Sequence, residues 1–360
     1  MSGCRCLILA GGTGGHIMPG LSVANHLIEF GHLVYWVGIG NELEKKLISS
    51  NKAINFYSYK AKGFRGKGLA QKVNSLFIMV YLLVKFYFLI IKIRPQVVLG
   101  MGGYISLPGG IAAWLARVPL IIHEQNSIPG SANKILRYLA FRACQGLTNN
   151  GKSNFQALQV GNPVREEITI SMSKISLDDS QFKILVIGGS QGSAYLNVNI
   201  PTALGLIKET KGINVRHQAG KGKIDEVSYE NIGSVSEAAV SEFIDDMGGA
   251  YDWADLIICR SGALTVSEIM AIGGLALFIP YPYATDNHQF FNALDLKEKG
   301  GAFLVSEGEC FVNKVSEYVI TLMRDDAVCA HMKQVAKACF IPNGAEVISK
   351  VCLEAAKQYD

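Results

Sequence analysis

The sequence predicts an α/β protein made of two doubly wound halves, each with a parallel sheet. Short apolar runs alternate with stretches of helical apolar spacing along most of the chain, the pattern of parallel strands joined by crossover helices. A glycine-rich turn of one kind also occurs twice, about half a chain apart: Gly11-Gly12-Thr13-Gly14-Gly15-His16 and Gly188-Gly189-Ser190-Gln191-Gly192-Ser193. Each follows an apolar run (residues 4–10 and 183–187) and precedes helical spacing, at Leu21, Val23, Ala24 and Leu27, and again from Leu196. Strand, glycine turn and helix present free N–H groups and a helix N-terminus to an anion, usually phosphate. Its duplication points to two nucleotide-fold halves facing one cleft, and 360 residues suit two domains better than one core.

In the first half, strands are expected at residues 4–10, 33–38, 54–59, 97–99 and 120–123. Gly161-Asn162-Pro163-Val164-Arg165 and the polar stretch through Ser180 read as a connector, because Pro163 ends any regular element. The second half restarts with strands at 182–187, 215–218, 239–243, 256–259 and 276–279. The last helix, from about Ala345 to Lys357, is amphipathic and suits packing on either half.

Residues 74–91 carry one charge, Lys85, and are long enough to span a bilayer. A span would place the first glycine turn and the Gly100–Gly103 turn on opposite sides of the membrane, where one sheet could not hold both. Asn74, Tyr81, Lys85 and Lys92 fall within ~40° of one another on a helix, a thin polar stripe on an apolar rod. Two readings remain: a crossover helix buried in the fold, or one partly buried and partly dipped into lipid headgroups. Its flanks, Lys60, Lys62, Arg65, Lys67, Lys72, Lys92 and Arg94, suit an anionic membrane surface.

Charge is distributed unevenly. From Lys45 to His123 there are twelve Lys/Arg and no Asp or Glu, which against +4 overall leaves −8 on the rest. That asymmetry points to an anionic surface or polymer as partner of the first half. The eight cysteines include no CxxC pair and read as small core residues. The N-terminus runs directly into the first strand, which predicts no signal peptide and a cytosolic active compartment.

The first turn fails as a dinucleotide fingerprint, because Ile17 stands where the third glycine belongs and the second strand ends Val37-Gly38 without a carboxylate. Neither turn continues into Lys-Ser/Thr, which argues against a P-loop. His16 closes the first turn, and its imidazole has the right ordinary pKa to take a proton from a hydroxyl near neutral pH; the alternative is a helix cap. His123-Glu124-Gln125-Asn126 and Gly100-Met101-Gly102-Gly103-Tyr104 end two further strands at the edge where such sheets bind ligands, or are structural turns.

In the second half, Cys259-Arg260-Ser261-Gly262-Ala263-Leu264-Thr265-Val266-Ser267-Glu268 joins a strand to a helix. The helix amides suit a diphosphate, and Glu268, about one turn in, suits a ribose diol or the helix dipole. Gln289 and Asn292 share a helix face and offer amides to sugar hydroxyls, or are surface polar residues. No DxD and no His/Cys spacing supports a metal site.

These segments in order, GGTGGHIMP (11–19), GMGGYISLP (100–108), HEQN (123–126), GNPVR (161–165), GGSQG (188–192), FIDDM (243–247) and CRSGALTVSE (259–268), closely resemble the MurG family of peptidoglycan glycosyltransferases. The resemblance implies a GT-B fold, two Rossmann-like domains facing an interdomain cleft: residues 1–162 on the acceptor and membrane side, 163–340 on the donor side, and 341–360 packing back on the first. It implies an inverting, metal-independent hexosyltransferase with no cofactor, joining N-acetylglucosamine from UDP-GlcNAc to the 4-hydroxyl of the muramyl sugar of lipid I to give lipid II. That places it in cell-wall biogenesis, cell shape and cell division, with no nucleic-acid partner.

Carried over by motif, His16 is the general base, and Thr13, Gly14 and Gly15 contact donor sugar or acceptor diphosphate. Asn126 lies near the donor sugar, Arg165 and the Ile244 backbone address the uracil, and Ser190 meets the diphosphate. Ala263, Leu264, Thr265, Val266, Ser267 and Glu268 hold phosphate and ribose, with Glu268 on the diol, and Gln289 and Asn292 meet the sugar. Tyr281-Pro282-Tyr283-Ala284-Thr285 departs from the family pattern, which leaves the sugar-facing detail there open. The family's docking on the cytoplasmic face of the inner membrane implies a peripheral enzyme, bound through the helix from Leu76 to Ile91 and its basic flanks, alongside other cell-wall synthesis proteins.

Overall fold

A computed structural model describes residues 3–49, 51–60, 69–148, 154–170, 181–189, 191–208 and 212–358, with side chains excepted at 69–74 and 169–170. The chain divides into two compact units, Met1–Pro163 with Ile341–Asp360, and Val164–Phe340.

The first unit runs β1 (Arg5–Leu9), α1 (Gly14–Glu29), β2 (Leu33–Gly38), α2 (Glu42–Leu47), β3 (Ile54–Ser58), α3 (Leu69–Ile93), β4 (Val97–Gly100), α4 (Gly103–Leu115), β5 (Leu120–Glu124), α5 (Ser131–Leu136), β6 (Arg142–Gln145) and β7 (Leu158–Gln159). Its strands are parallel throughout, in the order β3-β2-β1-β4-β5-β6-β7.

The second unit runs α6 (Glu166–Ile170), β8 (Gln181–Ile187), α7 (Ala194–Gly205), β9 (Gly212–Gln218), β10 (Val235–Ser241), α8 (Met247–Trp253), β11 (Leu256–Cys259), α9 (Ala263–Ile272), β12 (Ala276–Phe278), α10 (His288–Glu298), β13 (Phe303–Leu304), α11 (Phe311–Arg324) and α12 (Asp326–Ala338). Its strands are also parallel, in the order β10-β9-β8-β11-β12-β13. The last helix, α13 (Gly344–Lys357), belongs to the first unit.

Period-two burial explains the layering. On β1, Cys6 and Ile8 join a core with Val23, Ala24 and Leu27 of α1 and Ile348, Cys352 and Ala355 of α13. The intervening Leu7 and Leu9 face the opposite layer, Leu82, Phe86 and Ile90 of α3 with Ala112 and Ala113 of α4. A strand buried on both faces must be apolar at every position, which is why these strands read as continuous runs and not as alternation.

One strand expectation is corrected. The segment expected at 239–243 forms β10 four residues earlier, because its partner β9 aligns Val235 with Ile213 and Ser241 with Gln218. Phe243, the last residue of the expected range, is 56% exposed beyond it. β6, β7 and β13 are only four, two and two residues long; β6 and β7 show no apolar run, and the run at β13 is too short to announce a strand.

α3 buries Leu82, Phe86, Leu89 and Ile90 and turns Leu76, Phe77, Val80, Tyr81, Val84, Phe88 and Ile91 outward, with Phe77 72% exposed. The stretch Ser75–Ile93 is long and apolar enough to cross a membrane, and its buried face is part of the first unit's hydrophobic core. Lys62, Arg65 and Lys67 of the basic flank lie outside the described residues.

Two buried imidazoles make each unit acid-sensitive. Burial pulls His123 in the first unit and His217 in the second down to about 4 from 6.5. Below pH 6.5 the unfolded chain takes up protons that the folded chain refuses, so stability falls as pH drops from about 6.5 to about 4. Each histidine is expected to cost about 2 kcal/mol by pH 5. Denaturant titrations at pH 7.5 and 5.0 check this, and a flat profile would mean that both rings are charged or solvated in the native state.

Candidate active site

Ligands of open parallel sheets sit beyond the C-terminal strand ends where strand order reverses. In the first unit that point lies between β1 and β4, and in the second between β8 and β11.

In the first unit, β1 delivers Gly11–Thr13 and α1 starts at Gly14 with Thr13 at its N-cap, where no side chain caps it. The first N–H groups of α1, including those of Gly14 and Gly15, have no intrahelical acceptor and open toward the loop. His16 sits in this turn with Nδ1 3.4 Å from Thr13 Oγ1. Its ring lies against the β4–α4 turn: a Cβ on Gly102 would stand 2.9 Å from His16 Cδ2 and 3.1 Å from Nε2. Gly102 adopts φ +93° and Gly103 φ +75°, which a glycine takes without strain. The side-chain oxygen of Gln125, after β5, lies 3.7 Å from the same Cβ position. The ends of β1, β4 and β5 therefore converge on one imidazole.

The HEQN segment is mostly spent internally. Glu124 Oε1 accepts from the backbone and side-chain nitrogens of Asn126 at 3.0 and 2.9 Å, and Oε2 from Gly130 N and Asn133 Nδ2 at 2.9 Å. Gln125 Nε2 donates to Met101 O at 2.9 Å, and His123 Nε2 lies 3.3 Å from Gly161 O. Of the four residues only Asn126 is partly exposed.

In the second unit, α7 starts behind the second glycine turn, with Ser193 Oγ accepting from Leu196 N at 3.3 Å. Ser190 lies outside the described residues. Beside β8, β11 leads into α9, whose N-cap is Gly262 and whose amides at Ala263, Leu264 and Thr265 precede the first intrahelical bond, Val266 N to Gly262 O. Leu264 and Thr265 are partly exposed, whereas Ala263, Val266 and Ser267 turn into the core, so this segment offers a ligand mainly backbone. Two helix N-termini on adjacent strands concentrate positive potential at one place.

Arg260, which sequence reasoning passed over, adds a guanidinium there that is already paired with a carboxylate. It is 9% exposed, donates through Nη2 to Ser193 Oγ at 2.6 Å and through Nη1 to the carbonyls of Ile279 and Pro280 at 3.2 Å, and pairs with Glu307 Oε1 at 2.6 Å. One guanidinium thus ties together the turns after β8, β11 and β12.

Glu268 is buried and holds two partners: Oε1 accepts from Arg165 Nη2 at 3.1 Å, and Oε2 from the Tyr251 hydroxyl at 3.0 Å. Burial pushes its carboxyl above the ordinary range, opposed by Arg165. Arg165 and Glu268 are therefore one ion pair. Ile244 lies in the turn before α8, the helix that carries Tyr251. On α10, Gln289 Oε1 accepts from Tyr281 N at 2.9 Å, and buried Asn292 donates to Ser261 O at 3.1 Å, so both amides brace neighbouring turns. Among the described residues, no group of three or more His, Cys, Asp or Glu is placed to hold a metal.

Comparison with known proteins covers both units. Residues 6–144 match the Glycosyltransferase family 28 N-terminal domain and residues 183–348 the Glycosyltransferase family 28 C-terminal domain. The chain is 40% identical over 358 residues to a UDP-N-acetylglucosamine--N-acetylmuramyl-(pentapeptide) pyrophosphoryl-undecaprenol N-acetylglucosamine transferase of Shewanella sediminis, covering 98% of this chain and 97% of that one. It is also 40% identical to the protein of the same name from Shewanella oneidensis, covering 99% of each. Among solved structures it is similar to MurG of Acinetobacter baumannii, with TM-score 0.80, 29% identity and coverage of 98% of this chain and 99% of that one.

Proposed function

The chain belongs to glycosyltransferase family 28, and from that premise we propose that it transfers N-acetylglucosamine from UDP-GlcNAc to the 4-hydroxyl of the muramyl sugar of lipid I, giving lipid II. One observation carries this reading: 40% identity over nearly the whole length of transferases named for that donor and acceptor.

The chemistry follows from the two half-sites. His16 takes the proton of the acceptor hydroxyl, directly or through a water, as that oxygen attacks the anomeric carbon and UDP leaves in line, with inversion. Gly14 and Gly15 present amides, and Thr13 a hydroxyl, to the acceptor diphosphate or the donor sugar, with Asn126 beside the sugar. The amides of Ala263–Thr265 and the α7 N-terminus, with Ser190, receive the leaving diphosphate, and buried Arg260, paired with Glu307, braces the α7 N-terminus through Ser193 so that it need not reorganise during the reaction. An ionised carboxylate has about four acceptor positions, so Glu268 accepts a ribose diol while keeping Arg165 and Tyr251. Arg165 and the Ile244 backbone then face the uracil, and Gln289 and Asn292 order the sugar-side turns.

The outward face of α3, from Leu76 to Ile91, with Lys85 and Lys92, is the surface through which we place the enzyme peripherally on anionic lipid at the cytoplasmic face of the inner membrane. A lipid-linked acceptor requires such proximity.

UDP release tests the reading. In chelator, UDP-GlcNAc with a lipid I analogue is expected to release UDP, and neither donor alone nor donor with diacylglycerol to do so. Equal release with diacylglycerol would make the chain a glycolipid synthase, and no release with lipid I would remove the assignment.

A further inference from the structure

Glu44 is fully buried, and among the described residues no Lys or Arg pairs with it. Such a carboxylate is costly unless hydrogen bonds replace its water. It stands three residues after Asn41, the N-cap of α2, where a helix-capping carboxylate would ordinarily bond back to its own N-terminus. One oxygen stays local, with Oε2 accepting from Gly40 N at 2.6 Å. The other crosses to a different turn, with Oε1 accepting from Gly12 N at 3.1 Å. Asn41 makes the same crossing, its Nδ2 donating to Gly12 O at 2.8 Å while its Oδ1 caps Glu44 N at 2.8 Å. Both backbone groups of Gly12 are therefore held by α2.

The surrounding glycines are shaped for this carboxylate. A Cβ on Gly38 would stand 2.4 Å from Glu44 Oε2, and one on Gly11 3.1 Å from Oε1. Gly12 takes φ +103° and Gly40 φ +72°. The front of the first glycine turn thus encloses an anion of the protein's own, and the Gly12 amide is spent on it.

We propose that Glu44 is a positioning residue for the transfer: it occupies the anion seat of the Gly11–Gly12 turn and so fixes Thr13 and His16 against the acceptor hydroxyl. The proposal rests on His16 acting as the base. Misplacement of a catalytic group by ~1 Å costs up to ~10²-fold, so loosening this turn lowers kcat without touching the donor half-site.

Two variants test it in the full-length enzyme. Glu44→Gln turns an amide NH₂ against one of the two N–H groups, and Asn41→Asp keeps the helix cap while opposing Gly12 O with a second oxygen. Glu44→Gln is expected to lower kcat about tenfold or more, and Asn41→Asp several-fold. UDP affinity by calorimetry and KM for UDP-GlcNAc should stay within about twofold of wild type, because the partners of Glu44, which are Gly12, Gly40 and Asn41, belong to the first unit. Wild-type kcat in both folded variants would overturn the proposal, as would a loss of kcat matched by an equal loss of UDP affinity. Failure of the functional reading shows differently, as a wild-type enzyme that releases no UDP with lipid I.

Discussion

Replacing His16 with alanine is expected to cut turnover by ~10²-fold or more while leaving UDP affinity unchanged. A general base must lie within hydrogen-bond reach of the proton it takes, and this imidazole stands where β1, β4 and β5 converge. Thr13 Oγ1 beside Nδ1 gives the ring one oriented contact, and the Gly102 backbone gives it a wall. That wall provides a second route to the same loss. Gly102→Ala puts a methyl group 2.9 Å from Cδ2 at φ +93°, so either the ring or the turn must shift. Gly102→Ala should therefore reproduce most of the His16→Ala defect with the imidazole still present. Steady-state UDP release measures kcat, and calorimetry measures UDP affinity in the second unit. Undiminished turnover in His16→Ala would assign the proton to another group.

Much of this arrangement is legible in the sequence because it is local. Buried parallel strands are apolar at every position, and helix-leading turns need glycine where φ is positive, as at Gly12, Gly102, Gly189 and Gly192. Both glycine turns and the CRSGALT segment accordingly lie at switch points of the two sheets. What stayed hidden depends on contacts between distant segments. Glu44 reads as an ordinary first-turn acid of a charged helix, since nothing near it in sequence announces Gly12, thirty-two residues back. His123, Glu124 and Gln125 read as ligand-facing because they end a strand, yet partners at Gly161, Asn133 and Met101 draw them inward. The Arg165–Glu268 pair joins positions 103 residues apart. Side-chain type indicates hydrogen-bonding capacity, and only the fold decides whether it serves the protein or a substrate.

Arg260→Met is expected to be the most destabilising single change in the second unit. Removing one member of a buried ion pair strands the other, and such changes cost about 3–5 kcal/mol. Here the loss extends further, because Ser193 Oγ and the carbonyls of Ile279 and Pro280 lose their donor together with Glu307, whose side chain is 17% exposed. A lysine does not rescue it, since a single ammonium cannot serve three turns from one planar fork. Arg260→Lys should therefore retain charge yet still loosen the turns after β8 and β12. Pairing Arg260→Met with Glu307→Leu distinguishes the stranded charge from the lost brace. If desolvated Glu307 is the main cost, the double variant recovers most of the stability, and a double-mutant cycle shows coupling well above about 1 kcal/mol. If bracing of the turns dominates, stability stays low. UDP affinity falls in both, because the α7 N-terminus loses its guanidinium in either background. Denaturant unfolding in a Trp36→Phe, Trp114→Phe background leaves Trp253, which Arg216 stacks over at 4.2 Å, to report the second unit, and calorimetry reports its nucleotide affinity. Wild-type stability and UDP affinity in Arg260→Met would mean that the two helix N-termini suffice to hold the diphosphate.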